Sequence, residues 1–202
     1  MSFDTYAGLK TEIANLIDRT DLTAKIPGWI TMAEASMNRV LKTRQMIERV
    51  TITASGASYP IPAGFAGAKS FRGPTGTPMV FEPIEAFDAR TDITGTPTHF
   101  SVAGDRFLFN PIPGSATSLT LLYRRRLDAL GSVNATNWLL EENPDAYLYG
   151  AAVHSAPYLA EDERIAVWQG LFQAAIRDIN ADALTQNMGA TLQTASGIND
   201  GR

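Results

Sequence analysis

The sequence predicts an α+β chain: a four-helix bundle with an inserted antiparallel β-module and an extended C-terminal arm. Three observations lead there. Apolar residues recur at helical spacing near the N-terminus and again towards the C-terminus. Between these stretches the period shortens to two, and most of the Gly and Pro residues lie there. After Ala183 neither period continues. The divisions read this way are residues 1–46 for the first helix pair and 47–130 for the β-module, then 131–184 for the second helix pair and 185–202 for the arm.

The first helix is expected from about Asp4 to Arg19, with Tyr6, Leu9, Ile13, Leu16 and Ile17 on one stripe. Asp21 to Ile26 is a polar break, and Pro27 suits the entry to a second helix. There Trp29, Ile30, Ala33, Met37, Val40 and Leu41 form the stripe, while Glu34, Asn38, Arg39, Lys42 and Arg44 stay polar. The basic residues gather in the last turns, where they complement the helix dipole.

From Glu48 the pattern becomes strand-like. Val50, Ile52 and Ala54 alternate with Thr51 and Thr53 before Ser55-Gly56 turns the chain. Tyr59-Pro60-Ile61 reads as a short edge piece, because proline cannot donate to a ladder. Ala68 to Phe71 and Met79 to Phe81 flank a Gly-Pro turn, and Ile84 to Ala89 suits a single helical turn. The clearest hairpin joins His99–Val102 to Arg106–Phe109 through Ala103-Gly104-Asp105. Ser118 to Arg126 is the longest expected strand, with Leu119, Leu121 and Tyr123 on one face.

Asn143-Pro144 opens the third helix: the Asn side chain can cap, and Pro gives up a donor that has no partner there. Leu148, Ala151, Ala152, Ser155 and Leu159 recur along it, mostly small, and Pro157 ends or kinks it near Tyr158. The fourth helix starts at Glu161-Asp162-Glu163 and carries Ile165, Trp168, Leu171, Phe172, Ala175, Ile176, Ile179 and Ala183 on one face. Trp29 and Trp168 are both expected in the core. Thr185 to Arg202 is polar, should not fold alone in water, and if extended would reach roughly 60 Å at ~3.3 Å per residue.

Composition excludes several classes. No apolar run approaches the ~20 residues of a membrane-spanning helix, so no membrane partner is expected. The N-terminus has neither the basic start nor the apolar centre of a signal peptide. There is no cysteine, hence no disulfide framework and no thiolate chemistry. A net charge of −4 gives no global pull towards nucleic acid.

No catalytic, cofactor-binding or metal-binding residues emerge. His99 and His154 fall in unrelated elements with no second ligand at metal-binding spacing. The acidic cluster at 161–163 is explained by the helix dipole. The glycines form neither GxGxxG nor GxxxxGK[ST], and no serine sits in a nucleophile elbow. Arg124-Arg125-Arg126 is the one basic run. Alternation places Arg125 on the face of Tyr123 and its two neighbours on the other. Such a run either keeps a strand end in solvent and guards a sheet edge, or contacts phosphate, and its shortness favours the first.

The order of the pieces is familiar. Asp18 to Leu22, Ile26-Pro27-Gly28-Trp29-Ile30, Ala33-Glu34 and Asn38-Arg39-Val40-Leu41 resemble the start of tailed-phage head–tail connector adaptors, which bind the portal at the neck. So do Tyr59-Pro60-Ile61-Pro62-Ala63 with Phe65, and Asn137-Trp138-Leu139-Leu140, Asn143-Pro144, Tyr147-Leu148-Tyr149-Gly150, Ala156-Pro157-Tyr158-Leu159 and Asp162-Glu163-Arg164. The likeness spans about nine-tenths of the chain.

What this resemblance implies is a structural virion protein with no catalytic residues and no cofactor. Such adaptors form a ring, usually of twelve copies, below the portal protein at the capsid vertex. The ring extends the channel for packaged DNA and offers tail or nozzle proteins an attachment site. Assembly would take place in the host cytoplasm. The C-terminal arm would pack along the portal with Leu192 and Ile198 as apolar anchors, and Arg124, Arg125 and Arg126 become candidate DNA-channel contacts. Two other readings compete: a monomeric ligand-binding module, for example for a saccharide, using Tyr59, Phe71 and Phe81 on the β-module, and a small hydrolase using scattered Asp and Glu.

Overall fold

A computed structural model of the chain describes residues 4–159 and 162–195, with side chains as far as Thr185. Among the described residues there are six helices: α1 (Tyr6–Ile17), α2 (Ile26–Val40), α3 (Ile84–Asp88), α4 (Trp138–Glu142), α5 (Pro144–Val153) and α6 (Arg164–Ala195). The seven strands are β1 (Ile47–Ala54), β2 (Ser58–Pro60), β3 (Phe65–Arg72), β4 (Val80–Phe81), β5 (His99–Ala103), β6 (Arg106–Asn110) and β7 (Thr117–Arg125). The fold is therefore mixed α+β. It divides into a helical unit, Met1–Gln45 with Leu127–Arg202, and a β unit, Met46–Arg126.

In the helical unit, α5 is the hub. It packs against α1, α2, α4 and α6, and it buries Ala146, Tyr147, Gly150, Ala151 and Ala152. Residues on all sides of so short a helix are buried, which fits an apolar sequence without a solvent face. Gly150 is what allows the approach. A Cβ built there would lie 2.9 Å from Cε2 of Phe172 on α6 and 3.2 Å from Cβ of Ala33 on α2. The expectation of a four-membered bundle thus gives way to helices gathered around one central member, with α4 as a further short one. Trp29 and Trp168 are both buried, as their stripes require.

Helix ends differ from the sequence reading in three places. Asn143 makes no side-chain cap, although Pro144 does occupy the first turn of α5. The capping asparagine is Asn137, whose Oδ1 accepts from the Leu140 amide at 3.0 Å and starts α4. The helix α5 stops at Val153, and Pro157 falls in a separate 3₁₀ turn, Ala156–Tyr158. Finally, α6 does not stop near Ala183: its backbone is helical to Ala195, so 185–195 is not an extended segment. Leu, Gln, Met and Ala are good helix formers, and extending an existing helix needs no new nucleus.

The β unit holds two sheets. One is three-stranded, in the order β1-β7-β3, and the other four-stranded, in the order β2-β6-β5-β4. The hairpin β5–β6 turns at Gly104, whose φ of 58° suits glycine. Proline-containing β2 lies on an edge. The Gly-Pro turn closes as expected, with the Gly73 amide on the Thr77 carbonyl at 2.8 Å and the Met79 amide on the Phe71 carbonyl at 2.7 Å. One expectation needs correction: β3 and β4 then enter different sheets, and β4 pairs with β5 in parallel, so the module is not wholly antiparallel. The core is aromatic: Phe71 of β3 meets Phe100 and Phe107 edge-on, each at 5.2 Å between centroids, and Phe109 at 5.7 Å.

Candidate functional site

The arginine run ends β7, and strand geometry splits it. Arg125 points to the inner side with Tyr123, its Nε 3.4 Å from Oε2 of Glu48 on β1. Its stem crosses Gly64, where a Cβ would lie 3.2 Å from the Arg125 Cγ and where φ is +72°. Arg126 is exposed, and its amide donates to the Gly64 carbonyl at 2.7 Å. Arg124 lies on the outer face, opposite Ile47 of β1 and Gly67 of β3. The three residues therefore do not form one contact surface. Alternation foretells this split, but the outward partners of Arg124 are set by register with distant strands.

Of the arm residues, Ile198 lies outside the described residues. Leu192 falls on the helical backbone of α6 beyond the described side chains. The last described buried side chain of α6 is Ala183, and Leu184 is 64% exposed.

The aromatics proposed for ligand binding are not equivalent. Phe71 is 1% exposed and belongs to the core, while Tyr59 is half-buried and Phe81 is 56% exposed. Phe81 rims a groove of about 410 Å³ that is also lined by Phe65, Met79, Phe100 and Val102. Glu82, beside it, is held by Arg90 through two bonds of 2.6 Å, which keep its carboxyl below the usual range.

A second constellation escaped the sequence reading. The buried carboxylate Glu34 of α2 accepts from the Leu130 amide at 2.8 Å and from the Tyr147 hydroxyl at 3.2 Å. Asn137 Nδ2 donates to the same hydroxyl at 2.7 Å and to the Asp128 carbonyl at 2.8 Å. One turn along α2, Asn38 accepts from the Leu127 amide at 2.8 Å. Burial pushes the Glu34 carboxyl up against the opposing effect of its two hydrogen bonds, and burial also raises the Tyr147 hydroxyl. The signal was present: Glu34 stands four residues after Ile30 and three before Met37, on the buried face rather than off it.

Two more side chains close the helical unit. Asn180 of α6 accepts from the Lys42 amide at 2.9 Å and donates to the Val40 carbonyl at 3.2 Å. Arg164 pairs with Asp162 at 2.7 Å and reaches the Leu16 and Ile17 carbonyls at 3.3 and 3.4 Å, the orphan end of α1. Asp162 in turn accepts from the Arg164 amide, so it opens α6 as a cap. Among the described residues, no group of three His, Cys, Asp or Glu has metal-binding geometry, and no helix is long and apolar enough to cross a membrane.

These arrangements hold backbone segments and present surfaces; none of them lines up a nucleophile with a base. Compared with known proteins, the chain matches the pattern of the family described as SU10 adaptor protein over residues 4–195. No curated protein matches it.

Proposed function

Since the chain belongs to the SU10 adaptor protein family, a family of phage head–tail adaptors and so of virion components, we propose that it forms a ring directly below the portal at the capsid vertex. The ring, of twelve copies by analogy with related adaptors, extends the channel through which packaged DNA passes. On its far side it gives tail or nozzle proteins their attachment site. The observation that carries this reading is a family match over nearly the whole chain, the β unit and all the helices to the end of α6 included.

The structure is compatible with a scaffold role. Side chains of α2 and α6 hold backbone from elsewhere in the chain, as suits an element of a rigid assembly. The portal contact is assigned to the segment after Leu184, with Leu192 and Ile198 as its apolar anchors. The competing ligand-binding module loses one of its three aromatics, because Phe71 is core.

Mixing the purified chain with portal rings and imaging the product by electron microscopy tests the reading. A second ring stacked coaxially on the portal is expected. A chain that stays monomeric beside unmodified portals would overturn it.

A further inference from the structure

We propose that the outward face of the three-stranded sheet binds the phosphate backbone of duplex DNA, with Arg49, Arg72 and Arg124 as its cationic points. This rests on the channel-forming reading above and names the surface that would meet the packaged genome.

Register assembles the face from three strands. Arg49 of β1 stands opposite Leu122 of β7, and Arg124 opposite Ile47. Arg72 of β3 stands opposite Thr120, which is itself opposite Thr51. Directly paired residues point to the same side, so all three arginines share the side away from Leu119, Leu121 and Tyr123. None of the three strands places an acid of its own on that side: Glu48, the one acid of these strands, lies on the inner side with Arg125. The chain's net charge of −4 does not apply locally, since Met46–Arg126 carries eight Lys or Arg against six Asp or Glu.

Spacing and chemistry both favour phosphate. Strand geometry puts Arg49 and Arg124 about 8 Å apart at the backbone and Arg72 about 14 Å from Arg124. Phosphates facing each other across the grooves of B-DNA, about 6 and about 12 Å wide, fall within reach of such a set. Exposed Thr51, Thr53 and Ser118 add hydroxyl donors of the kind that bind phosphate oxygens. A flat sheet face sends nothing into a groove, so binding is blind to sequence. An acidic protein surface is the rival occupant, but this face offers only Ile47 and Leu122 as large apolar residues, too few for the dry centre of a protein interface.

The test is fluorescence anisotropy of a labelled short duplex with the full-length chain across a salt series. Three phosphate contacts predict a slope of log K against log salt of about −2.7. The double variant Arg49→Gln/Arg72→Gln, altered only at exposed positions, should lose about two units of that slope and still melt like wild type. Arg125→Gln, on the inner side, should leave the slope unchanged. Absence of duplex binding by wild type at low salt would overturn the proposal. So would an Arg125→Gln loss equal to that of Arg49→Gln, or equal competition by polyglutamate, which would assign the face to an acidic protein. Portal attachment is read on the same proteins. Attachment without the slope sinks the DNA face alone; the slope without attachment sinks the adaptor reading and keeps the face.

Discussion

The hydroxyl of Tyr147 on α5 donates to the carboxylate of Glu34 on α2 at 3.2 Å, across 113 residues of sequence that include the whole β unit. The same carboxylate holds the Leu130 amide, and the same hydroxyl accepts from Asn137. One buried acid thus fixes the chain where it returns from the β unit. Tyr147→Phe leaves Glu34 one donor short in a site closed to water. A loss of about 1–3 kcal/mol is expected, read by urea denaturation. A change below the error of the measurement would mean that the hydroxyl is not part of a supporting network.

Glu34 also makes a statement about pH. Its carboxyl is raised from 4.5 by burial, so the folded chain favours the protonated form. The stability it contributes is full below 4.5 and is lost as pH rises through the folded value. His154 runs the other way. Burial, with Arg39 nearby, lowers it from 6.5, so its contribution is present above 6.5 and is lost as pH falls through its folded value. Melting temperature against pH should show both limbs. Glu34→Gln should flatten the rise towards acid, and His154→Gln the fall. Profiles identical to wild type for both variants would remove these groups from the account.

Gly150 offers a sharper test of the hub. An added methyl would meet Phe172 and Ala33 at 2.9 and 3.2 Å. Relief from glycine's poor helix propensity is worth about 1 kcal/mol, whereas overpacking costs about 1–3 kcal/mol. Gly150→Ala should therefore be neutral to destabilising by about 2 kcal/mol, and Phe172→Leu should restore part of the loss in the double variant. Stabilisation by Gly150→Ala alone would show that α5 is not closely approached there.

Trp168 anchors α6 from the same side. It is 4% exposed, with the Arg164 guanidinium 5.2 Å above its ring. Trp168→Ala should cost about 3–5 kcal/mol, visible as a large drop in melting temperature. An unchanged melting curve would contradict the placement of α6 against α5.

What the sequence made legible is what local physics decides. The β5–β6 hairpin follows from Gly104 between two alternating runs, and α1 and α2 from their apolar stripes. Pairing between the first and last strands of the β unit is not local. Nothing near Thr51 or Thr120 announces that they face each other, so alternation foretells the split of the arginine run but not that Arg49 and Arg72 share a side with Arg124. The same holds for Glu34, whose charge marks it as surface until Leu130 and Tyr147 supply the donors. Asn143 was read as a cap because Pro144 follows it, but Asn137 had the free carbonyl oxygen in position one helix earlier.

The C-terminal helix gives the last prediction. Side chains from Trp168 to Ala183 bury α6, while Leu184 is mostly exposed and the backbone stays helical to Ala195. Adding residues to a helix already nucleated by packing gains about one backbone bond per residue fixed, which nearly balances the entropy lost. Removing residues after Leu184 should therefore leave the melting temperature almost unchanged. Yet Leu184, Met188 and Leu192 recur at four-residue intervals, the spacing by which a helix lays an apolar stripe into a groove. If that stripe meets the portal, the truncated chain melts like wild type but no longer cosediments with portal rings, and Leu192→Asp alone reproduces most of the loss. A truncated chain that unfolds would place the segment in its own subunit's core. One that still docks would leave the end of α6 without a part in assembly, and the portal contact would have to be sought on another surface.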